Sequence, residues 1–198
     1  MVARAIPEEF LVADAGEVEA ALDQMAAFLH ARFGPAFALV GVLRRGAPIA
    51  ERLATRIEHL RGAAVPTGAI ELKRYSDELA LLHHEPARGE IRLPFVVRGA
   101  TVILIDDVLY TGRTFLAAAS YLIGEGAAEV ACAALCSRGG QEVPIAAAVS
   151  GLDLHVGGRN LIEVRMPPFE AELGVVVRSR RTEPAARLRH PGVEEGGQ

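Results

Sequence analysis

The stretch Val102-Ile103-Leu104-Ile105-Asp106-Asp107-Val108-Leu109-Tyr110-Thr111-Gly112-Arg113-Thr114 joins a run of aliphatic side chains to two adjacent carboxylates and a Thr-Gly-Arg-Thr turn. The aliphatic run predicts a buried strand over Thr101 to Asp106, and the turn predicts a helix from Gly112 to Gly124. A helix that opens there offers unpaired N–H groups and the positive end of its dipole, a combination that binds phosphate. Gly112 allows the backbone to approach an anion closely, and the Thr111 and Thr114 hydroxyls add donors. Asp106 and Asp107, at the strand's carboxyl end, suit the vicinal hydroxyls of a sugar or a metal-bound sugar. In open α/β sheets that end of the strands is where ligands lie. Taken singly, the acids cap a strand and Thr111 caps a helix. The chemistry resides in the string as a whole.

Two further segments carry polar groups in places that need explaining. Arg44-Arg45-Gly46 interrupts the apolar run Phe37 to Leu43. Lys73 to about Pro94 holds Arg74, Tyr75, Asp77, Glu78, His83, His84, Glu85 and Arg88 with little apolar periodicity, the pattern of a lid or mobile loop inside a compact domain. His83-His84 reads as solvated loop chemistry rather than as a preorganised site. Cys132 and Cys136 lie in Val130-Ala131-Cys132-Ala133-Ala134-Leu135-Cys136. No further ligands stand at metal-binding spacing, so they read as buried thiols, and no protein metal site is expected.

The elements that must position these groups alternate. Asp14 with Glu17 has the form of a capping box, and Val18, Leu22, Met25, Leu29 and Phe33 form one stripe, so a helix is expected from Asp14 to about Arg32. Phe37 to Leu43 reads as a buried strand, and Ile49, Ala50, Leu53, Ala54 and Ile57 as the apolar face of a second helix. Val65 to Leu72, Glu129 to Ser137, Ala146 to Val149, Leu161 to Val164 and Leu173 to Val177 supply further strands. Strands alternating with helices predict an α/β domain with a parallel sheet and flanking helices. One domain over residues 1–178 is expected, followed by a flexible tail at 179–198 rich in Arg, Glu, Gly and Pro.

Composition sets outer limits. The 198 residues are 51% hydrophobic and 23% charged, carry no Trp, and have a formal net charge of −4. That is an ordinary soluble globular balance without the basic excess of a dedicated nucleic-acid binder. No signal-peptide pattern or membrane-length apolar run is present, so a cytoplasmic protein without membrane contact is expected.

The thirteen-residue string closely resembles the PRPP-binding signature of type I phosphoribosyltransferases, where PRPP is 5-phosphoribosyl 1-diphosphate. Within that family, Asp-Asp-Val-Leu-Tyr-Thr-Gly-Arg-Thr is similar to the PyrR branch, pyrimidine-operon attenuators with uracil phosphoribosyltransferase activity. Arg74-Tyr75-Ser76-Asp77-Glu78-Leu79 resembles that branch's lid, and Ser137-Arg138-Gly139-Gly140-Gln141-Glu142-Val143-Pro144-Ile145 resembles the segment after its fourth core strand. The likeness runs from about residue 15 to 178. It implies the type I fold with a flexible lid and a small hood. It also implies that Asp106 and Asp107 hold the ribose 2′- and 3′-hydroxyls, and that Val108, Leu109, Tyr110, Thr111, Gly112, Arg113 and Thr114 wrap the 5-phosphate. Arg44, Arg45 and Gly46 would hold the diphosphate, with a non-proline cis peptide at or beside Arg44. Arg74 and Arg138 complete the substrate-binding set. Mg²⁺ is implied as a cofactor held mainly through PRPP, and a homo-oligomer, dimer or tetramer, as the assembly.

Tyr110 stands where purine enzymes of this type place an Asp that contacts the base, which favours a pyrimidine. The chain departs from the branch beyond Gly139. Gly140, Gln141, Ala146, Ala147 and Ala148 replace a His and several basic residues, and no Lys, Arg or His occurs from Gly139 to Leu154. Gly157-Gly158-Arg159-Asn160 departs from the usual base-contacting loop. Three readings follow. The first is a phosphoribosyltransferase making UMP from uracil. The second is an RNA-binding regulator with little turnover, which the missing basic residues disfavour because phosphate contacts dominate such affinity. The third is an enzyme for a purine or another base.

Overall fold

A computed structural model describes residues 9–73, 87–157 and 160–179. Arg74, His83, His84 and the rest of the expected lid between 74 and 86 lie outside them, as do Arg159 and residues 180–198.

The first helix forms where the capping box placed it. The Glu17 N–H donates to Asp14 Oδ1 and the Asp14 N–H to Glu17 Oε2, both at 2.9 Å, and α1 spans Ala15–Phe33. β2 (Ala38–Val42) leads into α2 (Gly46–Arg61), and β3 (Thr67–Lys73) follows. β5 (Thr101–Leu109), α3 (Arg113–Gly124), β6 (Glu129–Ser137) and β7 (Val149–Asp153) complete the central layer. Its six strands run in the order β4-β3-β2-β5-β6-β7. All are parallel except β4 (Ala87–Arg92), which pairs antiparallel with β3 at one edge.

Strand alternation divides the core. Leu39, Ile103, Ile105, Ala133 and Leu135 face α1 and α2 in one cluster. Val40, Val42, Val102, Leu104, Cys132 and Ala134 face Phe115, Ala118 and Leu122 of α3 in another. β1 (Glu9–Ala13), β9 (Gly174–Ser179) and β8 (Asn160–Arg165) form a separate antiparallel sheet in the order β1-β9-β8. This is the hood. Its Ala13, Val164, Met166 and Val175 join the first core cluster.

The structure departs from the sequence expectations in four places. β5 continues three residues past Asp106, because Val108 and Leu109 go on pairing with Cys136 and Ser137 of β6. The paired acids therefore sit inside the strand rather than at its last residue. Part of the expected Lys73–Pro94 loop is the edge strand β4. It has few apolar residues because an edge strand needs few, and Glu90 and Arg92 pair on it at 3.0 Å. The strand expected at Ala146–Val149 falls at Val149–Asp153. β1 carried no signal in the sequence. No helix among the described residues is long and apolar enough to cross a membrane.

Gly41 and Gly46 fix how α2 leaves the sheet. A Cβ on Gly41 would stand 2.4 Å from Ala47 Cα, and one on Gly46 would stand 2.3 Å from the Ile105 carbonyl oxygen. Both neighbours are backbone and cannot rotate away. Gly41→Ala is expected to cost about 1–3 kcal/mol by overpacking, read as a lower urea midpoint at unchanged m-value.

Candidate active site

The site is built where the sheet changes direction. β2 and β5 are adjacent and parallel, with Gly41 beside Ile105. The chain leaves β2 through α2 onto one face and leaves β5 through α3 onto the other. This is the switch point of an open α/β sheet, where a crevice opens outside the strand ends. Residues 43–46 and 110–114 form its two lips, with Asp106 and Asp107 between them.

Both lips end in a helix start that lacks a side-chain cap. α2 begins after Arg45 and α3 after Gly112. Neither has a capping side chain or an acidic residue in its first turn. α1 has both. The contrast is local chemistry: apart from one long bond of 3.5 Å from the Arg113 N–H to Thr111 Oγ1, the first turns of both helices keep their positive poles clear of side-chain acceptors. Gly112 takes φ 79°, open to glycine at little cost, and a Cβ there would meet Val143 Cγ2 at 3.0 Å. The Leu43–Arg44 peptide is cis, at the position the family resemblance implied.

The two acids are half-buried and tied to the strand. The Asp107 N–H donates to Asp106 Oδ1 at 2.9 Å, and the Val108 N–H to Asp107 Oδ1 at 2.8 Å. Burial raises the Asp107 pKa above the ordinary carboxylate value. The hydrogen bond with Asp106, the Val108 N–H and the positive charge of Arg45 offset only part of that rise. Behind them, burial pushes the Cys132 and Cys136 thiols up to about 12, with the charges of Asp106 and Asp107 respectively adding to it. Both are free, buried, protonated core residues.

The other expected residues sort by what they reach. Arg44 is exposed on its lip. Arg45 donates from Nη2 to Glu170 Oε1 at 2.5 Å. Leu109 is buried in the second core cluster, so it offers the crevice no side chain, and its carbonyl accepts the Arg138 N–H at 2.9 Å. Tyr110 is 41% exposed, and the Arg138 guanidinium carbon lies 4.1 Å from its ring centroid. Arg138 itself is only 8% exposed and donates from Nη2 to the Gly157 carbonyl at 3.1 Å. The Thr111 carbonyl accepts the Glu142 N–H at 3.0 Å, and Arg113 reaches Glu142 Oε2 from both Nε and Nη2 at 3.0 Å. Thr114 is half-buried in the first turn of α3. Arg74 falls outside the described residues.

Sequence reasoning passed over Glu142 and Glu170. Glu142 stood inside a segment already singled out. Glu170 had no local signal, being 125 positions from the arginine it holds. A cavity of about 530 Å³ lies elsewhere, between α2 and β3, lined by Ala47, Glu51, Gly68, Arg92 and Leu93. None of the expected site residues lines it.

Comparison with known proteins bears on the family and the fold. Residues 12–166 match the phosphoribosyl transferase domain family. The chain belongs to that family. It is 40% identical over 140 residues to the bifunctional protein PyrR of Pelotomaculum thermopropionicum, covering 70% of this chain and 77% of that one. It is 38% identical over 175 residues to the bifunctional protein PyrR of Akkermansia muciniphila, covering 87% and 98%. Within the phosphoribosyltransferases it is therefore a PyrR-like member, a pentosyltransferase. The fold is shared more widely. A crystal structure of the hypoxanthine phosphoribosyltransferase of Trypanosoma cruzi superposes with a TM-score of 0.66 at 14% identity, covering 85% of this chain and 95% of that one.

The raised pKa of Asp107 makes stability depend on pH with a definite sign. The folded chain keeps this proton to higher pH than the unfolded chain does. Stability is thus lost as pH rises from the ordinary carboxylate range through the folded-state value. Asp107→Asn keeps an acceptor for the Val108 N–H and removes the buried charge. It is expected to melt higher than wild type near pH 7, the gain shrinking toward zero below about pH 4, where both forms are neutral. Thermal melts across that range check it.

Proposed function

We propose that this phosphoribosyltransferase moves the 5-phosphoribosyl group of PRPP to uracil, releasing pyrophosphate and UMP. The observation that carries the reading is the pair of uncapped helix N-termini on either side of two adjacent carboxylates. PRPP has that charge pattern, with a phosphate at one end, a diphosphate at the other and vicinal hydroxyls between. The α3 start with Tyr110 to Thr114 takes the 5-phosphate. The α2 start with Arg44, Arg45 and Gly46 takes the diphosphate. Asp106 and Asp107 accept the ribose hydroxyls.

The nitrogen of the base attacks C1′ as the C1′–O bond to diphosphate breaks, and the bonding pair leaves with the pyrophosphate. Positive charge grows on the ribose ring in this oxocarbenium-like passage. The half-buried carboxylates below it supply fixed negative potential, and positioning supplies most of the rest. Asp106 and Asp107 are hard oxygen donors that would help to hold Mg²⁺ brought in by PRPP, which would supply charge neutralisation for the leaving diphosphate. Tyr110, held against Arg138, gives the base site an aromatic wall and no carboxylate, which supports a pyrimidine over a purine.

PRPP consumption screened with uracil, orotate, hypoxanthine, guanine and xanthine tests the substrate. Uracil is expected to give the highest kcat/KM, and activity confined to a purine would reverse the choice of base. Asp106→Asn is expected to lower uracil turnover by about a hundredfold with the melting temperature retained, as loss of a transition-state electrostatic partner does. Activity within a factor of two of wild type would remove that residue from the site.

RNA binding is proposed to be weak. Three arginines of α2 are spent within the fold, and Arg32 on α1 is left exposed. Arg52 and Arg56 both pair with Glu19, and Arg56 also with Asp23 at 2.7 Å. Arg61 donates to the carbonyls of Pro35, Ala63 and Ala64. Such charges are already neutralised or occupied and release few counterions from a nucleic acid. A leader hairpin from pyrimidine genes, titrated at about 0.15 M salt with and without UMP, is expected to bind weakly, with affinity fading as salt rises. Nanomolar, UMP-dependent binding would establish the regulator reading instead.

A further inference from the structure

Glu170 lies on the turn that joins β8 to β9, in the hood, and reaches across to the lip of the crevice. Its two oxygens are held separately. Oε1 accepts from Arg45 Nη2 at 2.5 Å, and Oε2 accepts from the Met166 N–H at 3.0 Å. The backbone bond fixes the carboxylate, and the carboxylate in turn fixes the guanidinium. Phe169, next in the turn, lies against the same guanidinium with its ring centroid 5.8 Å from Cζ. Only one Arg45 donor is used in the ion pair. Its Nε is buried and has no hydrogen-bond partner among the described residues. Burying a donor without a partner is costly.

An ion pair with both side chains about a third exposed, at 32% and 27%, adds little to stability. What it does is restrain a long side chain. A free arginine loses rotamer freedom when it captures an anion, whereas a restrained one has lost it already. We propose that Glu170 is a positioning residue for substrate binding: from the hood it holds Arg45 over the α2 N-terminus, so that the remaining guanidinium donors meet the diphosphate of PRPP preorganised. This rests on the reading of Arg44-Arg45-Gly46 as the diphosphate lip.

Calorimetry of wild type with PRPP and Mg²⁺ comes first, since absence of binding there overturns the function itself rather than the role of Glu170. With binding established, Glu170→Ala is expected to raise the KM for PRPP about tenfold while kcat and the KM for the base stay within twofold, the size of effect set by restraining one or two side chains. If Glu170 acts through Arg45, Arg45→Ala/Glu170→Ala has the same KM for PRPP as Arg45→Ala alone. Should Glu170→Ala fold poorly, Glu170→Asp keeps the charge, shortens the arm and is expected to raise the same KM by a smaller factor. The idea is overturned by an unchanged KM for PRPP, by losses that add in the double variant, or by tighter PRPP binding without Glu170, which would make the carboxylate a competitor of the diphosphate.

Discussion

The close seating of α2 on the sheet is the constraint from which the crevice follows. Gly41 on β2 and Gly46 at the helix start bring two backbones together at distances that no side chain permits. The turn between strand and helix is therefore short and tight, and it ends directly over the β5 carbonyl at Ile105. Any larger residue would lift the helix and with it the N–H groups of its first turn. Because β5 sends its own helix to the opposite face, the second N-terminus stands across the same crevice. Two positive poles and two carboxylates thus share one crevice as a consequence of packing and connection order.

That arrangement is held at a cost in stability. Asp107 is buried enough that its carboxyl titrates high, and the local donors compensate only partly. The helix starts on either side forgo the side-chain caps that α1 has, each of which is worth about 1 kcal/mol. These are departures from local consistency, and they fall together in the crevice, with the unpartnered His30 Nδ1 at the end of α1 a further one elsewhere. Such clustering is what selection for binding rather than for stability leaves in a fold.

How much of this the sequence shows depends on the range of the interactions. The 102–114 string is legible because strand, acids, turn and helix start are contiguous, so local chemistry and tertiary role coincide. The capping box at Asp14 and Glu17 is legible for the same reason. The hood is not. β1 presents Phe10, Leu11 and Val12 to solvent in succession, so no alternation marks it, and it exists because it pairs with β9 some 165 residues away. β7 is misplaced by a similar effect. The alanine run at 146–148 looks more strand-like than Val149–Asp153, but Gly151 lets Met25 and Ala21 of α1 approach that backbone, a contact no local pattern encodes. Glu170 belongs to this second class, since its partner comes from the other end of the chain.

The hood's attachment bears on how the site can respond to a ligand. Val164, Met166 and Val175 are fully buried and belong to the same cluster as α1 and α2. Moving the hood as a body would expose them, at about 1.5–3 kcal/mol for each side chain. Less apolar burial is at stake in the turn between β8 and β9. There Phe169 is partly exposed, and the ion pair contributes little on its own. Response at the Arg44-Arg45-Gly46 lip therefore starts from a fixed frame: the small sheet stays packed on the core, and its turn keeps Arg45 in place.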